Sequence, residues 1–184
     1  MQHCPLSTRH TAYISLIRST LEYASSVWDP HTQSDTQKLE KIQRQSARFI
    51  QQDYKSRLPG SMTDMLKDLE LPLLQERRKN IRLSLLYKII NGLVPAIPPE
   101  DYLKPVQQNK RRIRPTTFEG YSSQNFVKNY QINNTQGLTV PVAKTNIYKN
   151  SFFIRTIKDW NLLDEETVTA TSIENFKERL LLRT

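Results

Sequence analysis

The chain has 184 residues, enough for one domain or one domain with a small appendage, and a domain of this size buries roughly 70% of its unfolded surface. At 37% hydrophobic and 24% charged, with four glycines, the composition suits a soluble chain rich in helix and excludes collagen-like, coiled-coil and membrane-spanning classes. Twenty-seven lysines and arginines against eighteen aspartates and glutamates leave a net charge of +9. That excess attracts polyanions, nucleic acid first and anionic membrane next, unless the chain is merely a basic soluble protein.

Cys4 is the only cysteine, which excludes an internal disulfide, a zinc knuckle and a Cys-x-x-Cys pair, and fits a reducing compartment. Residues 1–9 lack the apolar core of a signal peptide, so an intracellular location, nuclear or cytoplasmic, is expected, with no membrane partner.

Apolar residues recur at Tyr13, Leu16, Ile17, Leu21, Ala24, Val27 and Trp28, predicting a first helix from Thr11 to Trp28 that stops at Asp29-Pro30. A second is predicted from about Ser34 to Asp53. On it Leu39, Ile42, Ser46, Phe49 and Ile50 gather on one side and Lys38, Lys41, Arg44 and Arg48 on the other. After the break at Leu58-Pro59-Gly60, Ser61 and Asp64 resemble a helix start, with Met62, Met65, Leu66 and Leu69 as its apolar face. Pro72 suits the first turn of a fourth helix carrying Leu74, Ile81, Leu85, Leu86, Ile89 and Ile90, which Asn91-Gly92 closes.

Residues 93–147 differ in kind, holding six of the ten prolines and only short alternating runs, Ile113 to Phe118 and Gly137 to Val142. They predict a long connection with a few short strands at most, partly disordered alone or ordered by a partner. Helical period returns at Tyr148, Phe152, Phe153, Thr156, Ile157 and Trp160, and a last helix opens with a capping box of Thr171 and Glu174, burying Ile173, Phe176 and Leu180. The expected fold is therefore mainly α, with a helical domain over 1–92, the connection over 93–147 and two C-terminal helices within 148–184.

Metal-dependent nucleotidyl transfer needs carboxylates close in space, and no Asp-Asp or Asp-x-Asp occurs; Glu119 and the pair Glu165-Glu166 are poor substitutes. His3, His10 and His31 lack the spacing and the cysteine neighbours of a zinc site. There is no Gly-rich phosphate loop and no Gly-x-Ser-x-Gly elbow, so neither enzymatic activity nor a cofactor is expected of this chain by itself.

Positive charge clusters in three places. Lys38, Lys41, Arg44 and Arg48 form a helical stripe that reads either as a rail for phosphates or as a solvated face. Arg77, Arg78, Lys79 and Arg82 crowd the first half of the fourth helix, where the macrodipole disfavours cations unless an anion is nearby; around the wheel they are scattered, which weakens a groove reading. Lys110, Arg111, Arg112 and Arg114, with no acid between Asp101 and Glu119, suit an arm that orders along a nucleic-acid backbone, or a nuclear-localisation patch. Tyr121, Phe126, Tyr130, Tyr148, Phe152, Phe153 and Trp160 are aromatics able to stack bases, although helical spacing assigns those from Tyr148 onward to a core.

Three ordered blocks carry a resemblance. Ala12-Tyr13 with the run Leu21-Glu22-Tyr23-Ala24-Ser25-Ser26-Val27-Trp28-Asp29-Pro30 resembles a signature of jockey-like non-LTR (LINE) retrotransposon reverse transcriptases. Leu39-Glu40-Lys41-Ile42-Gln43-Arg44, Ala47-Arg48-Phe49, Arg77-Arg78 and Tyr87-Lys88-Ile89-Ile90-Asn91-Gly92 are similar to the helical region after that family's polymerase palm. Tyr148-Lys149-Asn150-Ser151-Phe152-Phe153, Arg155-Thr156-Ile157 and Trp160-Asn161 resemble its C-terminal block. The resemblance implies a thumb followed by a C-terminal extension, without the catalytic aspartates, gripping an RNA or RNA-DNA hybrid backbone and docking the missing palm. Two other readings stand beside it: a decayed or truncated element copy without selected activity, and a protein-interaction module that docks through Leu16, Leu21 and Trp28.

Overall fold

The structure is a computed structural model that describes residues 4–56, 58–106 and 132–183. It is mainly helical, and among the described residues there is no β-sheet. The elements are α1 (Leu6–Ala12), a π-helical segment (Tyr13–Arg18), α2 (Ser19–Glu22), α3 (Ser25–Trp28), α4 (Gln33–Gln51), α5 (Ser61–Asp68), α6 (Leu74–Ile90), α7 (Pro99–Tyr102), α8 (Asn146–Lys149), α9 (Phe152–Asn161), α10 (Glu165–Val168) and α11 (Ile173–Leu182).

The first predicted helix exists but is broken. Ala24 takes a left-handed conformation at φ 49°, and the indole Nε1 of Trp28 donates to the Tyr23 carbonyl at 2.6 Å across the break. The break turns Ser25 inward and aims Asp29 at α6; Leu16, Tyr23 and Val27 lie on the surface. Of the apolar residues that defined this helix in sequence, only Tyr13 is fully buried.

α4 begins where Thr32 accepts the Asp35 amide at 3.2 Å and donates its own hydroxyl to the Asp35 carboxylate at 2.7 Å. Its buried face is turned from the predicted one: Ile42 is exposed and Leu39 only half-buried, whereas Glu40, Gln43, Ala47 and Ile50 are buried. Hydrogen bonds are the reason. Gln43 accepts from the Tyr13 hydroxyl at 3.0 Å and donates to the Pro72 carbonyl at 3.0 Å, and Glu40 accepts the Gln75 amide at 2.8 Å. Buried polar groups satisfied in this way escape the cost of desolvation. α5 starts at Ser61 as expected, but its cap is Gly60 at φ 89° and no side chain caps it.

α6 begins one residue beyond Leu73, leaving Pro72 just ahead of its cap. Its C-terminus is the predicted stop: Gly92 at φ 66° donates to the Ile89 carbonyl at 3.0 Å and Leu93 to Lys88 at 2.8 Å, the two bonds of a Schellman motif.

Among the described residues two apolar cores result. The smaller joins Tyr13, Ala47, Ile50, Met65, Leu69 and Leu71. The larger gathers Leu83, Leu86, Tyr87 and Ile89 of α6 with Ile157 and Trp160 of α9 and Phe176 and Leu180 of α11, together with Leu103 and Leu138. It therefore crosses both expected boundaries, at 92/93 and 147/148. The expected strand over Gly137 to Val142 is replaced by one isolated antiparallel bridge, Pro105 with Leu138. Pro105 has no N–H for a ladder, and Asn161 does the work of a neighbouring strand: its amide donates to the Leu138 carbonyl at 2.8 Å and accepts the Leu138 N–H at 2.9 Å. The other expected strand, Ile113 to Phe118, lies outside the described residues. α11 is capped by Ser172, which accepts the Asn175 amide at 3.1 Å, one residue after the predicted Thr171.

Candidate nucleic-acid interface

The positively charged side chains separate into two populations. On α4, Lys38, Lys41 and Arg44 are exposed and Arg48 is half-buried, along one side of a continuous 19-residue helix. From Lys38 to Arg48 the row runs about 15 Å, roughly four nucleotide rises along a strand. Lys38 is 2.8 Å from Asp35, whose carboxyl is held below its usual range, first by the hydrogen bond from Lys38 and then by that from Thr32. Among the described residues no carboxylate lies within ion-pairing distance of Lys41, Arg44 or Arg48.

On α6 Arg78 and Arg82 face inward. Arg78 is fully buried and its Nε donates to Asp29 at 2.8 Å; Arg82, nearly as buried, lies 3.3 Å from the other Asp29 oxygen and donates to Asp159 at 3.1 Å. Arg155 of α9 completes the cluster, donating to the Asp29 carboxylate at 2.9 Å and its backbone carbonyl at 2.7 Å. Arg77 makes a two-pronged pair with Glu22 of α2. The anions that the helix dipole required are thus the protein's own carboxylates: Arg78 and Arg82 are buried against Asp29 and Asp159, and the partly exposed Arg77 is held by Glu22. Lys79 is half-exposed beside Glu76, with 3.9 Å between the charged atoms. Lys110, Arg111, Arg112 and Arg114 lie outside the described residues.

Burial shapes the electrostatics of this cluster. Desolvation lowers the Arg82 pKa and raises that of Asp159, each opposed in part by the charge of the other. The Arg77 pKa moves up, because the hydrogen bond to Glu22 favours its charged form more than burial opposes it. Buried pairs of this kind add little net stability over apolar packing, and losing one partner is severe. The cluster links Glu22 and Asp29 to α6, Asp29 to α9, and α6 to α9. Asp29, Arg78 and Arg155 come from the three separate blocks that carried the resemblance.

The aromatics divide similarly. Trp160 is fully buried, and Phe153 stacks on Tyr102 with ring centroids 5.0 Å apart. Tyr148 is exposed, while Tyr121, Phe126 and Tyr130 fall outside the described residues. Sequence reasoning passed over Tyr54 and Lys55, both exposed just beyond α4 on a turn held by Asp53, which accepts the Lys55 and Ser56 amides at 3.1 and 2.9 Å. An aspartate two residues before a lysine and three before a serine is the signal of such a turn.

No group of three or more histidines, cysteines, aspartates or glutamates able to hold a metal ion occurs among the described residues. No described helix is long and apolar enough to cross a membrane. The chain matches no protein-family model, no curated protein and no solved structure.

Proposed function

We propose that this chain is a non-catalytic nucleic-acid-binding fragment of a non-LTR retrotransposon reverse transcriptase, its thumb and downstream segment, gripping an RNA or RNA-DNA hybrid backbone without sequence preference. The observation that carries the reading is the α4 stripe, where Lys41, Arg44 and Arg48 have no described carboxylate within ion-pairing distance while Arg78 and Arg82 of α6 are buried. Cations kept unpaired along one rigid helix meet successive phosphates without reorganising and release condensed counterions as they do. Tyr54 and Lys55, at the end of the same helix, extend the surface with a ring able to stack on a base.

The test is a titration of hybrid, duplex RNA and single-stranded RNA at several salt concentrations. Affinity falls steeply with salt, and Lys41→Gln, Arg44→Gln and Arg48→Gln each flatten the log-log slope by roughly 0.7 to 0.9. An unchanged slope in the triple variant overturns the stripe as the interface.

One observation favours a second reading, docking of a protein partner such as the polymerase palm. Leu16, Tyr23 and Val27 are 69%, 80% and 86% exposed, with Trp28 beside them at 41%. Several large apolar groups exposed over so short a stretch mark an interaction surface more often than a solvated one.

A further inference from the structure

α6 carries apolar residues on nearly every side, the pattern of a helix covered all round. α3, α4, α9 and α11 pack against it, and among the described residues one stripe is left uncovered. Arg77, Ile81, Leu85 and Lys88 follow one another at steps of three and four residues, so they form a row along one side. That row is one wall of a groove of about 460 Å³, and Lys177, Leu180 and Leu181 of α11 line the other. Leu180 is buried at its base, whereas Leu181 is 60% exposed at its edge. Among the described residues no carboxylate lines the groove.

We propose that this groove binds an acidic amphipathic helix of a protein partner. The row from Arg77 to Lys88 is about 16 Å long, three helical turns. A helix of that length presenting apolar residues at i, i+4 and i+7 lays them on Ile81, Leu85 and Leu180. Carboxylates flanking its apolar face meet Lys88 at one end and Lys177 on the far wall, neither of which has a described carboxylate within ion-pairing distance. Nucleic acid suits the groove poorly, because phosphate and ribose would cover Ile81 and Leu85 without offering them apolar contact. The site is built from elements other than α4, so both partners can be held by one chain.

The probe is a fluorescein-labelled peptide of about 14 residues, with leucines at three helical anchor positions and flanking glutamates, titrated against the full chain by fluorescence anisotropy. Saturable binding is expected, weakened about fivefold or more when the peptide's glutamates become glutamines. Lys88→Gln with Lys177→Gln has the same effect, as does Leu181→Asp, an exposed position whose change leaves the fold intact by circular dichroism. Single-stranded RNA affinity changes by no more than about twofold in these variants. Three results overturn the proposal: no saturation up to about 1 mM peptide, peptide affinity indifferent to all three substitutions, or RNA losing as much affinity as the peptide. The last would make the groove a nucleic-acid surface and would leave the α4 stripe to be judged by its own salt slope.

Discussion

Arg155 holds Asp29 by both its side chain and its backbone: one guanidinium nitrogen donates to the Asp29 carbonyl at 2.7 Å and another to its carboxylate at 2.9 Å, across 126 residues of sequence. Asp29 also receives Arg78 at 2.8 Å, so a single carboxylate orders α3, α6 and α9 against one another.

Asp29→Asn is therefore expected to cost roughly 3–5 kcal/mol, since it leaves Arg78 and Arg82 buried with only Asp159 to oppose them. Urea unfolding measures it. Arg78→Met in the same chain restores part of the loss by removing the stranded charge. A loss below about 1 kcal/mol for Asp29→Asn would show that the cluster is not what holds α3 against α6 and α9.

Burial pushes the Tyr13 phenol up to about 12, opposed in part by the nearby Arg18 charge. An unfolded tyrosine titrates near 10, so the folded state holds this proton more tightly. The stability involved is fully present below about pH 10 and is lost as pH rises towards 12, on the order of 3 kcal/mol in all. Unfolding free energies at about pH 9 and pH 11 should fall further for the wild type than for Tyr13→Phe, which has no proton to lose. Parallel falls in the two proteins would mean that other groups carry the alkaline loss.

The caps make a sharper comparison. Ser172 accepts the Asn175 amide at 3.1 Å, so Ser172→Ala should destabilise by about 1 kcal/mol. Thr171 only accepts a side-chain bond from Asn175 at 3.3 Å, and Thr171→Ala should stay within about 0.5 kcal/mol of wild type. Thermal melts of the two variants decide which residue is the cap, and a reversed order would restore the capping box read from the sequence.

Gly92→Ala should cost about 1 kcal/mol through the backbone alone. At φ 66° the added Cβ meets nothing within 4 Å, so no clash contributes. A loss several times larger in chemical denaturation would mean that the Schellman turn is coupled to the core beneath it.

Local features of the fold were legible in advance. The positions of α4, α5, α6, α9 and α11 follow from apolar period and from stop signals such as Asn91-Gly92, because both act within a turn or two of helix. The α4 stripe was legible for the same reason, as a periodicity of charge. What misled was equally local. Leu39 and Ile42 seemed to mark the buried face of α4, but Gln43 and Glu40 take it by bonding to Tyr13, Pro72 and Gln75. The first helix kept its period through a break that its own residues do not announce, and the chain after Gly137 found its partner in the side chain of Asn161 instead of in a strand.

By itself the sequence determined a mainly helical chain, an excess of positive charge, and which residues carry it. Only the tertiary structure decided where that charge is available. Arg44 and Arg78 are chemically identical and both lie mid-helix, yet one faces solvent and the other is sealed against Asp29. The difference arises because ion pairing depends on distance in space, and residues separated by 49 positions in the chain come within 2.8 Å only when the helices pack.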